Sequence, residues 1–280
     1  MTADDSIEIK VRAIDGKGNP MDVSAEWLVS HASLPSVISS LEEYQGDAVV
    51  ERSVQFSPYT ASELAYTITA SFTEDNTTHV AQLDVVVTPG VLELLNLQAA
   101  AGDGVPSSLF EISADDHVQF DILLTDANEN PLDDSTVRWL LYDNDAGTVE
   151  DITVAMLYHN LMWNATKVGS FEIVAYAINS ENYNISTGVD ISVYHGNAVE
   201  VFVESSAQTI TAGSSVQFII TGKDADNNQF SQTVQWTEDG DEVDGLVSFE
   251  DQDGVYEYTG TIAGVHLLNF GVGTLSLIHI

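Results

Sequence analysis

The chain has no cysteine, and only seven lysines and arginines stand against 44 aspartates and glutamates, a formal net charge of −37. The first absence excludes disulfides, thiol catalysis and thiolate metal sites, so every core must be held by packing alone. The second argues against nucleic acid as a partner. Neutralising phosphates takes clustered basic side chains, and Lys10, Arg12, Lys17, Arg52, Arg138, Lys167 and Lys223 lie singly along the sequence. No basic patch serves anionic lipid either. A run of about 18 apolar residues, enough to span a bilayer, is absent, so no membrane insertion is expected of these residues. Residues 1–5 also lack the basic and apolar stretches of a signal peptide. What the carboxylates supply is solubility, through mutual repulsion that physiological or higher salt screens beyond roughly 8 Å.

With 44% apolar residues the chain is too hydrophobic to remain disordered, and its organisation follows from self-similarity. Residues 2–20 (TADDSIEIKVRAIDGKGNP), 113–131 (SADDHVQFDILLTDANENP) and 211–229 (TAGSSVQFIITGKDADNNQ) superpose without a gap. Each copy then reaches a tryptophan: Trp27, Trp139 and Trp236 lie 12, 13 and 12 residues after the shared Asp15, Asp126 and Asp224. The repeat length is about 100 residues.

Within each copy the apolar residues alternate, as Ile7, Ile9, Val11; Val118, Phe120, Ile122; and Val216, Phe218, Ile220. That is the period of a strand with one buried face. A second strand carries the tryptophan, with Val137 and Trp139, or Val234 and Trp236, two apart on one face. The segments between, 15–20, 126–131 and 224–229, are rich in Asp, Asn and Gly and read as turns. Further strands are expected at 49–56, 153–163 and 254–259, then at 66–72, 171–177 and 266–272. Closing strands follow at 80–87 and 189–194, and the next copy opens at 91–97 and 199–203. About seven short strands per copy, separated by turn residues, predict an all-β protein of tandem immunoglobulin-like β-sandwich domains with Greek-key topology. The expected boundaries are 1–89, 90–196 and 197–274.

Both ends read as cuts in this frame. Met1 aligns with Ile112 and Ile210, so the first copy lacks its first strand, and the third stops before its last. The codons CTG TCT CTT ATA CAC ATC, a string that matches a transposase adapter of sequencing libraries, would encode residues 275–280 (LSLIHI), which are therefore expected to be foreign to the repeat.

The run Ile210-Thr211-Ala212-Gly213-Ser214-Ser215-Val216-Gln217-Phe218, then Asp224-Ala225-Asp226-Asn227-Asn228 and Val234-Gln235-Trp236, resembles the bacterial immunoglobulin-like repeats of invasin- and intimin-type surface proteins. The joint Val87-Thr88-Pro89-Gly90 resembles their domain boundary. The resemblance covers all three copies and implies an extracellular or cell-surface location. Such repeats occur in adhesins, in S-layer-like proteins and as spacers in secreted hydrolases, so the resemblance implies no single activity.

His31, His79, His117, His159, His195, His266 and His279 are dispersed, without H-E-x-x-H or paired ligand spacing. Neither a G-x-S-x-G elbow nor a phosphate-binding glycine loop occurs. No catalytic or cofactor-binding residue is therefore assigned, and the chain is not expected to be an enzyme. Calcium is the cofactor to weigh: Asp143-Asn144-Asp145-Ala146-Gly147 imitates the start of a calcium loop, making Asp143 and Asp145 the metal candidates. The next ligand position falls on Gly147, which has no side chain, so solvated acidic loops are the competing reading. Asp239, Asp241 and Asp244 are equally irregular, and Asp4 with Asp5 or Asp115 with Asp116 sit where calcium would stiffen a joint. Trp27, Trp139 and Trp236 are expected to be core anchors rather than a sugar-stacking platform, because each stands beside an inward-facing strand pattern.

These readings converge on a non-catalytic, extracellular structural spacer whose partners are neighbouring domains of the same chain, supporting adhesion or the display of a distal domain. Two alternatives stay open. One is an adhesin in which a domain binds a cell-surface or polysaccharide ligand, with the apolar stretch 155–163 as its candidate surface. The other is an accessory module of a secreted hydrolase whose catalytic domain lies elsewhere.

Overall fold

Alternating apolar residues become strands whose inward positions are shielded from water: along Ser215–Lys223, Val216, Phe218 and Ile220 are buried while Ser215, Gln217 and Ile219 face out. The computed structural model describes residues 1–32, 42–44, 52–101, 107–133, 137–238, 241–242, 246–248, 254–272 and 275–279. The protein is all-β, of immunoglobulin-like β-sandwich type, apart from one short helix among the described residues. It divides into two compact units. The first comprises Met1–Leu97, Asp121–Trp139 and Ala175–Thr187, and the second comprises Gln98–Phe120, Leu140–Val174 and Gly188–Ile280.

In the first unit, Ile7–Val11 pairs with Arg52–Phe56, which pairs with Glu42–Tyr44. A second sheet joins Glu26–His31, Ser62–Glu74 and Thr77–Val87 in that order. Ile7–Val11 and Glu26–His31 fall in different sheets, whereas Glu42–Tyr44 with Arg52–Phe56, and Ser62–Glu74 with Thr77–Val87, are antiparallel neighbours within one sheet. Ile9, Val54, Phe56, Tyr66, Ile68 and Val87 form the core, with Trp27 and Val29 half-buried against it. The Tyr66 hydroxyl donates to the Thr60 carbonyl at 2.6 Å, pinning the loop before its own strand. This is the tyrosine-corner arrangement of immunoglobulin-like sandwiches.

In the second unit one sheet runs Glu200–Ser205, Ser215–Lys223, Val255–Thr259, Leu246–Ser248. The other runs Asp241–Glu242, Gln235–Glu238, Leu268–Val272, Leu275–His279. Val216, Phe218, Ile220, Val234, Tyr256, Tyr258, Leu268 and Phe270 form the core. Leu275–His279, expected to lie outside the repeat, pairs antiparallel with Leu268–Val272. An apolar, strand-forming run beside a free sheet edge satisfies that edge whatever its origin.

The strands between Leu94 and Tyr194 make two more sheets. In one, Leu109–Ser113 pairs with Asn184–Tyr194, followed by Gly169–Ile178, Arg138–Asp143 and Thr148–Asp151. In the other, Met162–Asn164 pairs with His117–Thr125, which pairs with Leu94–Ala101. The contact of Leu109–Ser113 with Asn184–Tyr194 is parallel, a pairing the alternation pattern did not announce.

Residues 153–163, read as a single core strand, fold instead as the helix Thr153–Tyr158 and the short strand Met162–Asn164. Ala155, Met156 and Leu157 are good helix formers, and the turn is anchored by Met156 alone, which is 1% exposed. Asn160 and Leu161 then adopt left-handed backbone angles (φ 53° and 61°) that redirect the chain into the strand. The helix leaves Val154 and Tyr158 82% exposed and Leu157 61% exposed.

Candidate functional site

The residues with the most constrained polar geometry lie in the three aligned turns. Each begins with an aspartate and has an asparagine four residues on: Asp15 and Asn19, Asp126 and Asn130, Asp224 and Asn228. In every turn, one oxygen of the aspartate accepts the backbone N–H groups two and four residues ahead. The distances are 2.8 and 2.8 Å from Lys17 and Asn19, 2.9 and 2.9 Å from Asn128 and Asn130, and 3.0 and 2.8 Å from Asp226 and Asn228. The other oxygen accepts the asparagine side-chain amide at 2.8, 2.9 and 2.8 Å. The fourth turn residue is left-handed in all three: Gly18 (φ 86°), Glu129 (φ 65°) and Asn227 (φ 70°). Local Asx geometry therefore builds the same rigid loop three times.

Two of these loops grip the chain that precedes them. Within the first unit, Gly90 donates its N–H to Asp126 Oδ2 at 2.7 Å, and Val91 donates to Asp4 Oδ2 at 2.8 Å. Within the second unit, Gly196 donates to Asp224 Oδ2 at 2.9 Å, and Asn197 donates to Asp115 Oδ2 at 2.8 Å. The asparagines add a two-point bracket. Asn130 Nδ2 donates to the Tyr59 carbonyl (2.8 Å) while its Oδ1 accepts the Ala61 N–H (2.7 Å). Asn228 does the same with the Thr166 carbonyl (3.1 Å) and the Val168 N–H (3.3 Å). Beyond each glycine, Glu93 N–H meets the Thr125 carbonyl and Val199 N–H meets the Lys223 carbonyl, starting the next strand.

Asp126 and Asp224 are 2% and 1% exposed, and Asn130 is 5% exposed. Burial alone would raise these carboxyl pKa values. It is outweighed by the donors: Gly90, Asn130 and Asn128 hold Asp126 below the ordinary carboxylate value of 3.8, and Asn228, Gly196 and Asp226 do so for Asp224. Each glycine is required by the close approach of a carboxylate. A Cβ at Gly196 would lie 2.5 Å from Asp115 Oδ1, and one at Gly90 would fall on the Asp4 carboxylate. The two clasps differ in their flanks. Asn128 Nδ2 also donates to Asp4 Oδ1 at 3.0 Å, whereas His195 stacks on Phe230 with centroids 3.5 Å apart.

The residues singled out in the sequence take other places. Trp139 is 1% exposed; Trp27 is half-buried, and its indole N–H meets no acceptor among the described residues. Trp236 sits opposite Phe270 in the sheet, its side chain outside the described residues. Asp143 forms an ion pair with Lys167 (2.6 Å) and accepts the Ala146 N–H, which holds its carboxyl low. Asp145 accepts the Ser170 N–H at 2.9 Å. Among the described residues no group of three or more His, Asp or Glu is arranged to hold a metal ion. Asp239 and Asp244 lie outside the described residues, as does the side chain of Asp241. Asp4 and Asp115, candidates for calcium ligands at a joint, accept the backbone amides of Val91 and Asn197. Sequence reading treated Asp126, Asn130, Asp224 and Asn228 as turn formers only. The signal that could have marked them is the Asp-x-x-x-Asn spacing kept in all three copies.

No family model and no curated protein matches the chain. Among solved structures, it is similar to FdeC, a broadly conserved Escherichia coli adhesin, at 13% identity and a TM-score of 0.44, covering 96% of this chain and 87% of that one. A mouse cadherin-23 fragment has 11% identity and a TM-score of 0.40, with 94% and 84% covered. An I-band fragment of titin has 8% identity and a TM-score of 0.38, with 96% and 88% covered. No helix among the described residues is long and apolar enough to cross a membrane.

Proposed function

We propose that the chain is a non-catalytic structural region of an extracellular or cell-surface protein, in which sandwich repeats at 1–89, 90–196 and 197–274 are stacked end to end and display what lies beyond them. The observation that carries this reading is the recurrence of one set of five hydrogen bonds at Gly90 and at Gly196. A flexible linker needs no such set. Charge-assisted bonds to the buried carboxylates of Asp126 and Asp224, repeated at matching positions, restrict how one repeat follows another. The acidic surface keeps such a structure from pairing edge to edge.

Amide hydrogen exchange tests this. The N–H groups of Gly90, Val91 and Ala61, and of Gly196, Asn197 and Val168, should exchange slowly, like strand amides. Exchange at unprotected peptide rates would sink the stacked reading.

A second reading, ligand-binding adhesin, is favoured by the exposed helix face of Val154, Leu157 and Tyr158. Replacing Val154 and Tyr158 by serine should leave stability within about 0.5 kcal/mol. It should abolish attachment to cells or polysaccharide if this face is the binding surface, and unchanged attachment would remove the helix from consideration.

A further inference from the structure

The alternation that buries Val216, Phe218 and Ile220 also gives Ser215–Lys223 an outer face, and Ile219 stands on it, 50% exposed. Strand register fixes what surrounds this residue. Glu204 lies directly opposite it in Glu200–Ser205, and Val255 directly opposite it in Val255–Thr259. Phe202, paired with Thr221, and Glu257, paired with Gln217, are its diagonal neighbours, within reach of long side chains. Phe202 is 45% exposed and Val255 half-buried. An apolar strip therefore crosses three strands on the water-facing side of a sheet whose inner side already fills the core.

Folding does not require these side chains to be apolar. In the aligned segments Lys10 and Asp121 stand where Ile219 does, and both are strand residues. Lys10 is paired with Ser53, at the place of Val255, and Asn96 follows Gly90 at the same distance as Phe202 follows Gly196. Adjoining apolar side chains left in water on one face mark a contact surface.

The rim decides what fits it. Glu204 and Glu257 flank Ile219 and make no ion pair among the described residues, while Glu200 is paired with Lys223 at 3.6 Å. Covering a carboxylate beside apolar surface costs free energy unless the partner brings a cation. A second copy brings the opposite, its own Glu204 and Glu257 on a chain of net charge −37. Anionic lipid is repelled for the same reason.

We infer that this sheet face is a docking surface for a segment of another protein that presents apolar side chains flanked by lysine or arginine. Phe202, Ile219 and Val255 are its apolar contacts, and Glu204 and Glu257 its charge partners. The inference goes beyond the stacked reading, in which this face has no part.

The probe is a synthetic amphipathic helical peptide of leucine and lysine, titrated onto the full chain with Kd as the readout. Peptides with glutamate in place of lysine, or serine in place of leucine, should bind at least about tenfold more weakly. Phe202→Ser combined with Ile219→Asn leaves the charge of the chain unchanged and should weaken binding of the leucine–lysine peptide about tenfold. Undiminished binding by that variant would reduce the attraction to net charge and overturn the docking surface. Glu204→Gln with Glu257→Gln should weaken binding more than Glu26→Gln with Glu63→Gln, which removes the same charge from exposed positions elsewhere; equal losses would overturn the assigned charge partners. In the unaltered chain, where no variant has to fold, the methyl resonances of Ile219 and Val255 should move saturably with added peptide. Shifts confined to other methyl groups would overturn the site. Binding to phosphatidylcholine vesicles, or self-association with rising concentration, that Phe202→Ser with Ile219→Asn abolishes would overturn the assigned occupant in favour of a membrane or a second copy.

Discussion

Asp126 holds the Gly90 amide at 2.7 Å with the same oxygen that accepts the Asn130 side-chain amide at 2.9 Å, so one buried carboxylate closes its own turn and clasps the incoming chain together. Asp224 does both for Gly196 and Asn228. Because local and joint bonds share an acceptor, a change at either should be felt at both.

Gly90→Ala should open the first joint. The new methyl displaces the Asp4 carboxylate, which loses its bonds from Val91 N–H and the Asn128 amide. A charge-assisted bond of this kind contributes about 1.5–3 kcal/mol, and exchange at Val91 should accelerate accordingly. In an Asp4→Ala background the same substitution should have a much smaller effect, and an undiminished effect would show that backbone strain, not the carboxylate, is responsible.

Acid should loosen both joints. Asp126 and Asp224 are held below 3.8 in the folded chain, so their contribution is fully present above that value and is lost as pH falls through the lowered one. Protection of Gly90 and Gly196, corrected for intrinsic exchange, should be flat from neutrality to about pH 4 and fall below it. Asp126→Asn should weaken the Gly90 joint at neutral pH and remove its acid step, leaving that of Gly196 in place.

Glu129 occupies the left-handed position that Gly18 and Asn227 fill in the other turns. Glu129→Asn should raise stability by about 0.5–1 kcal/mol, read as a higher urea midpoint with an unchanged slope. A lower midpoint would mean that the glutamate makes a compensating contact.

Calcium should leave thermal unfolding unchanged between millimolar metal and chelator. Lys167 and the Ala146 N–H occupy the Asp143 oxygens, and the Ser170 N–H occupies Asp145. A native-state site would raise Tm with metal concentration as RT ln(1 + [L]/Kd), and such a rise would return Asp143 and Asp145 to consideration.

Sequence reading went furthest where one physical cause acts locally. The alternation in Val216, Phe218 and Ile220 specified a buried strand face because the pleat itself has that period. It failed at residues 153–163, where an apolar run too short to show periodicity fits helix and strand alike, and burial of Met156 with the turn at Asn160 decided between them. It also passed over Asn130, because a turn-forming asparagine and a joint-clasping one have the same neighbours in the chain.

By itself, the sequence determined that this is an acidic, cysteine-free, all-β chain whose similar segments each carry an Asp-to-Asn turn, since charge, strand period and Asx turns are properties of residues and their near neighbours. Only the tertiary structure decided what those turns hold. Asn130 meets Tyr59 and Ala61, and Asn228 meets Thr166 and Val168, across separations of 60 residues or more. No local rule fixes such partners; they follow from where the sheets place one strand end against another.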